Sequence, residues 1–154
     1  MNTAHCSTFQ HRGYTPSAIL EAQEKQWIRV RGVSCHSLPA LELATQSGWT
    51  QVHLIRINPQ GAHIDSPADT WIATSNPSHL PPVFAQLTAM RAQGRGIIGM
   101  KLIGNSDFTQ PAQRDKAIRY VMQSDLCDAV VIGCKSTAEI DEAISRVNRA
   151  LAEA

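Results

Sequence analysis

Four short stretches hold the residues able to do chemistry: Ser34-Cys35-His36, Arg56-Ile57-Asn58, Met100-Lys101-Leu102 and Gly133-Cys134-Lys135-Ser136. Each closes an apolar, strand-like run, and in parallel α/β folds reactive groups gather where strands end and loops begin. The last stretch gives the clearest physical signal. Gly133 permits close approach to the backbone, and the N–H groups opening a helix at Ser136, beside the Lys135 ammonium, suit an anion such as a phosphate. In the plainer reading Ser136 only caps that helix. His36 and the His63-Ile64-Asp65 segment offer imidazole and carboxylate ligands, but single residues at irregular spacing do not define a metal site, and none is expected. Cys35 adjoins His36, yet neighbours on an extended chain point apart, which argues against a nucleophilic pair. Lys101 would need a desolvating pocket to act as a Schiff-base amine, and His53, at the far end of its strand, reads as structural.

Other chemistries have no footing in the sequence. No GxGxxG, Walker loop, HExxH or GxSxG pattern is present. The four cysteines, Cys6, Cys35, Cys127 and Cys134, show no CxxC spacing, so reduced thiols are expected rather than a zinc knuckle or a disulfide framework. Fourteen Lys and Arg against thirteen Asp and Glu leave a formal charge of +1. Without a run of like charge, neither nucleic acid nor an anionic membrane is an expected partner. No apolar run approaches the ~18 residues of a bilayer span, and Met1 to His11 lacks the features of a signal peptide, so a cytoplasmic location is expected. The 154 residues, 43% of them hydrophobic, suffice for one domain. A complete (β/α)8 barrel needs roughly 200 to 250 residues.

The elements that must position these stretches alternate. Thr15-Pro16 opens a helix over about 15 to 26, with Thr15 as cap and Pro16 where a missing N–H costs nothing. Ile28 to Ser34 is β-branched and alternating, and Ser37-Leu38-Pro39 starts the next helix. Gln51 to Ile57 forms a second strand, stopped by Asn58-Pro59-Gln60-Gly61. The polar stretch from 60 to about 78 reads as a long loop holding His63, Asp65 and Trp71, and long loops in compact domains are commonly functional. Val83, Phe84, Leu87 and Met90 have helical spacing, with Gly94 placed to end that helix. Gly96 to Gly104 is a buried strand, and a helix enters near Gln110-Pro111 with Ala117, Ile118, Val121 and Met122 on one side. Asp128 to Gly133 reads as a fully apolar strand covered on both faces. Ser136-Thr137-Ala138-Glu139 is a capping box opening a last helix that carries Ile140, Ala143, Ile144, Val147 and Leu151. A helix and then four β-α units imply parallel strands joined by right-handed crossovers.

Four segments in this order resemble the C-terminal half of the aldo/keto reductases, in a divergent bacterial branch: Ile28-Arg-Val-Arg-Gly-Val-Ser-Cys-His-Ser, Arg56-Ile-Asn-Pro-Gln-Gly-Ala-His-Ile-Asp, Gly96-Ile-Ile-Gly-Met-Lys-Leu-Ile-Gly and Val131-Ile-Gly-Cys-Lys-Ser-Thr-Ala-Glu-Ile. The likeness covers most of the chain. It implies a TIM barrel, of which these would be the fifth to eighth strands, with NADP or NAD lying across the C-terminal face. On that resemblance Ser34 and Cys35 hold the carboxamide, Met100 stacks on the nicotinamide, Lys101, Leu102 and Ile103 line the pyrophosphate, and Gly133, Lys135 and Ser136 meet the adenosine phosphate. The chain departs from the family at Cys35, usually Asn, at Leu54, often Gln, and at Glu139, near a position where an arginine often binds the 2′-phosphate.

The resemblance implies a single partial oxidoreductase domain over 1-154, transferring hydride between NAD(P)H and a carbonyl substrate in the complete enzyme. Of the family's catalytic Asp, Tyr, Lys and His only the histidine has a match, His5 in Ala4-His5-Cys6; Tyr14 and Tyr120 do not fall at the tyrosine's position. Arg56 and His63 are the expected substrate contacts. A half barrel would leave two unpaired edges and an apolar face, which imply a fragment, a complementing half-barrel chain or a homodimer. The alternative is an inactive half barrel that binds a nucleotide or phosphate ligand and self-associates.

Overall fold

The structure, a computed structural model, describes residues 16–68 and 75–154. His5, Tyr14, Thr15 and Trp71 lie outside these. The elements run α1 (Pro16–Glu24), β1 (Gly32–Ser34), α2 (Leu38–Gln46), β2 (Val52–Arg56), α3 (Leu80–Ala92), β3 (Gly96–Met100), α4 (Pro111–Met122), β4 (Ala129–Val130) and α5 (Thr137–Ala152), with short 3₁₀ turns at Pro77–His79 and Gly104–Ser106. All strands are parallel and lie in sequence order, β1-β2-β3-β4. Such an order, with crossovers of the usual right hand, winds the connecting helices α2, α3 and α4 onto one side of the sheet, whereas a doubly wound fold reverses its strand order midway. The arrangement is an α/β fold consistent with half of a β/α barrel.

Burial follows this one-sided winding. Val33, Ile55 and Ile97 alternate onto the helix side and pack with Leu41 of α2, Val83, Leu87 and Met90 of α3, and Val121 of α4 in one core. Val52, Leu54 and Ile98, on the opposite face, are only half-buried. The local signals act as expected. Ser37 Oγ accepts from Ala40 N to cap α2, Gly94 at φ +70° follows the end of α3, and Gln110 precedes Pro111 at the start of α4 with its N–H donating to Gln113 Oε1.

The outer strands are shorter than the sequence suggests. β1 starts only at Gly32: the Arg31 carbonyl still accepts from Gln51 N and Val52 N, but the Arg31 N–H and the Arg29 carbonyl are bound by the side chains of Gln51 and Gln23. The apolar run after Asp128 was expected to be covered on both faces, but only Ala129 and Val130 pair, and Val131 is 54% exposed. Position in the sheet decides this. β4 is an edge strand, tied down by Asp128, whose carboxylate accepts from Ile97 N and pairs with Arg91. No helix among the described residues is long and apolar enough to cross a membrane.

Candidate functional site

The strand ends expected to be reactive do converge at one end of the sheet. Asn58 organises them: its amide donates to the carbonyls of Ala62 and Lys101, and its Oδ1 accepts from Ala62 N. Ile57 N donates to Met100 O, and Leu38 N to Ser66 O, at 2.8 Å. The segment from Ile57 to Ser66 is thereby laced to the ends of both β1 and β3. It is largely buried, although the sequence reads as a polar loop, and Gly61 permits the course it takes. At φ +67°, a Cβ on Gly61 would lie 2.7 Å from the backbone of Asn76 and Pro77.

Into this buried segment the chain places charge. Arg56, the last residue of β2, is 4% exposed and its Nη1 lies 3.6 Å from Oδ1 of Asp65, which is fully buried. Among the described residues, Arg56 Nε and Nη1, both Asp65 oxygens and Ser66 Oγ have no hydrogen-bond partner. An unsatisfied buried group costs about 1–3 kcal/mol, and a cluster of them at strand C-termini calls for a functional explanation. Burial pushes the Asp65 carboxyl up to about 7, against the pull of Arg56, and lowers Arg56 despite Asp65. His36 is half-buried at the end of β1; burial, then the charges of Arg56 and Lys101, hold its pKa below the ordinary value. The site therefore sets an imidazole that resists protonation beside Arg56 and Lys101, with a carboxyl that titrates near neutrality.

The remaining candidates divide by position. Met100, 8% exposed, is the register partner of Arg56, and Ser34 is half-buried on the same face, opposite Leu54. Lys101 follows β3 at φ +60° and donates its ammonium to Asn105 Oδ1. Cys35 and Leu102, by contrast, are core residues: Cys35 Sγ donates to Ala40 O, and each is 3% exposed or less. His63 pairs with Asp107 at 2.9 Å rather than joining Asp65. Among the described residues no group of three or more His, Cys, Asp or Glu could hold a metal.

Ile103, Gly133 and Lys135 come together in a second place, a cleft of about 330 Å³ between the segment after β3 and the start of α5, closed by Arg114 and Arg146. Those two arginines are engaged with Glu142. At the helix start Ser136 Oγ accepts from Glu139 N, and the Glu139 carboxylate reaches back to Lys135 N at 2.6 Å. Only half of the expected capping box forms: Ser136 caps the helix, but Glu139 takes the N–H of Lys135, one residue before the cap, and so the chain's own carboxylate occupies part of the anion position that the sequence suggests there. The Lys135 ammonium makes no ion pair among the described residues and is exposed. Sequence reasoning named Arg56 and Asp65 separately, one as a substrate contact and the other as a possible ligand. Ser66 it missed, and no local signal marks it, because only the fold of the loop buries it.

No family model, curated protein or solved structure matches the chain.

Proposed function

We propose that this chain forms the nicotinamide-cofactor-binding half of an aldo/keto reductase-like barrel oxidoreductase that interconverts a carbonyl compound and its alcohol. The observation that carries the reading is the cleft in which Ile103, Gly133 and Lys135 meet, beside a sheet end that gathers Ser34, Arg56 and Met100. A volume of about 330 Å³ lies at the small end of ligand pockets and fits the adenosine end of a dinucleotide rather than the whole of it. The residues present fit that group in part. Lys135 supplies a cation for the phosphate, and the half-buried Ser34 is placed for a polar contact at the sheet end, whereas Cys35 faces the core. When bound, NADH or NADPH supplies the hydride. Arg56 and Met100 then border the substrate side, and the buried segment 57–66 keeps water from it. Glu139 opposes the extra phosphate of NADPH at the helix start, so both cofactors belong in the test. Titrating each into the chain while following reduced-nicotinamide fluorescence should show saturable binding that weakens several-fold in Lys135→Ala; no binding of either cofactor at millimolar concentration sinks the proposal.

A second reading, a non-catalytic half barrel that self-associates, is favoured by apolar residues at both sheet edges. Trp27 and Val30 are 73% and 52% exposed before β1, and Ile140, Ile144 and Leu151 lie exposed on α5 beyond β4. Patches of this kind mark interaction sites. Sedimentation equilibrium decides it: a dimer that binds no dinucleotide supports this reading, and a monomer removes it.

A further inference from the structure

The Arg56, Asp65 and Ser66 cluster holds more polar capacity than a structural ion pair needs. A buried guanidinium and carboxylate that served only each other would close to hydrogen-bond distance, commonly in the two-pronged geometry arginine allows. Here they stand 3.6 Å apart, and among the described residues both Asp65 oxygens, two of the Arg56 nitrogens and Ser66 Oγ are left without hydrogen-bond partners. Three strand ends surround them: His36 follows β1, Arg56 ends β2 and Lys101 follows β3. Leu38 N holds the Ser66 carbonyl, so the serine is fixed beside the β1 end. Among the described residues the carboxyl that sits with Arg56 in this cluster is Asp65, and it accepts a proton readily.

We infer that this cluster is the recognition site for a carboxylate on the substrate, with the Arg56 guanidinium and the Ser66 hydroxyl as donors and Asp65 as a third donor once it takes up a proton. This rests on the oxidoreductase reading for the carbonyl part of the substrate and narrows its class to small carbonyl compounds that carry a carboxylate. The chemistry is complementary on both sides. A carboxylate has two oxygens with about four lone-pair positions, which match a guanidinium edge, a hydroxyl and a protonated carboxyl. An anion placed there favours the protonated form of Asp65, because like charges disfavour each other's ionised states. Binding therefore draws in a proton wherever Asp65 is ionised in the free protein. The His36 imidazole does not cancel this, because its burial, and then the neighbouring Arg56 and Lys101, disfavour its protonation.

The test needs no cofactor. The chain is titrated calorimetrically with 2-oxobutyrate and with butanone, its counterpart without the carboxylate, at about pH 8 in two buffers of different ionisation heat. Expected are saturable binding of 2-oxobutyrate alone and an uptake approaching one proton per ligand. Arg56→Gln should weaken binding at least tenfold, and Asp65→Asn should still bind but without proton uptake, each variant being checked for a native circular dichroism spectrum. Equal binding of the two compounds, no binding of either, or unchanged proton uptake in Asp65→Asn overturns the inference. If 2-oxobutyrate binds while neither NADH nor NADPH does, the carboxylate site stands and the oxidoreductase reading falls. Cofactor binding without 2-oxobutyrate binding gives the reverse.

Discussion

Replacing Asp65 by Asn removes the one buried carboxyl whose ionisation the fold opposes, and its effect on stability can be worked out in sign and size. In the unfolded chain Asp65 titrates near its ordinary 3.8; in the folded protein burial raises this to about 7. Between those values the folded state holds a proton that the unfolded state has lost. Stability from this group is therefore fully present below the unfolded value and is lost as pH rises through the folded one. The difference amounts to about 4 kcal/mol, because each tenfold change in proton affinity is worth about 1.4 kcal/mol. Asp65 is fully buried, so no screening by solvent reduces that figure. Urea unfolding of the parent and Asp65→Asn at intervals from about pH 4 to about pH 8 measures it. Groups common to both proteins, including the carboxylates of Asp115 and Asp128 held low by their arginine partners and the Ile97 N–H, cancel in the difference. The parent should lose about 4 kcal/mol relative to the variant across this window. Parallel curves would refute the buried, reluctantly ionised Asp65 on which the site rests.

His53 should show the opposite sign. It is fully buried, and burial followed by the Arg95 charge lowers its pKa to about 4, so its stability contribution is present above about pH 6.5 and is lost as pH falls through about 4. His53→Gln should remove roughly 3 kcal/mol of acid sensitivity, read from the same unfolding series. Gly61→Ala should destabilise by about 2 kcal/mol or more in chemical denaturation, since it adds a Cβ against the Asn76 and Pro77 backbone at a left-handed φ. Asn58→Ala removes three hydrogen bonds that lace the buried segment. It should cost about 3 kcal/mol and raise amide exchange at Ala62 and Asp65 in hydrogen-exchange measurements.

What could be read from the sequence was local. Pro16, Ser37 with Pro39, Gly94, Pro111 and the Ser136 cap mark helix ends through interactions within a few residues, and each stands at the boundary it suggested. The four parallel strands were legible because apolar β-branched runs alternate with helical ones. Strand lengths were not, because whether Val131 is covered depends on what lies beyond β4, and before Gly32 two glutamine side chains take the Arg29 carbonyl and the Arg31 N–H. The site was half legible. Arg56 stands out as a charge ending an apolar strand, but Asp65 and Ser66 sit in a segment whose composition is that of a surface loop. Their burial follows from Asn58, Gly61 and a hydrogen bond to Leu38, each reaching across the fold. Cys35 and Leu102 show the converse: adjacency to a strand end made them candidates, and the alternation of the chain turned them into the core.

The proposed oxidoreductase role requires a nicotinamide dinucleotide to lie along this sheet end with its adenosine part in the cleft between β3 and α5. Backbone amide shifts of the isotopically labelled chain, followed by NMR during titration with NADH and with NADPH, test it residue by residue. Saturable shifts centred on Ile103, Gly133, Lys135 and Ser136, extending to Ser34 and Met100, are the predicted result. Spectra unchanged at millimolar cofactor, or shifts confined to other parts of the surface, would contradict it.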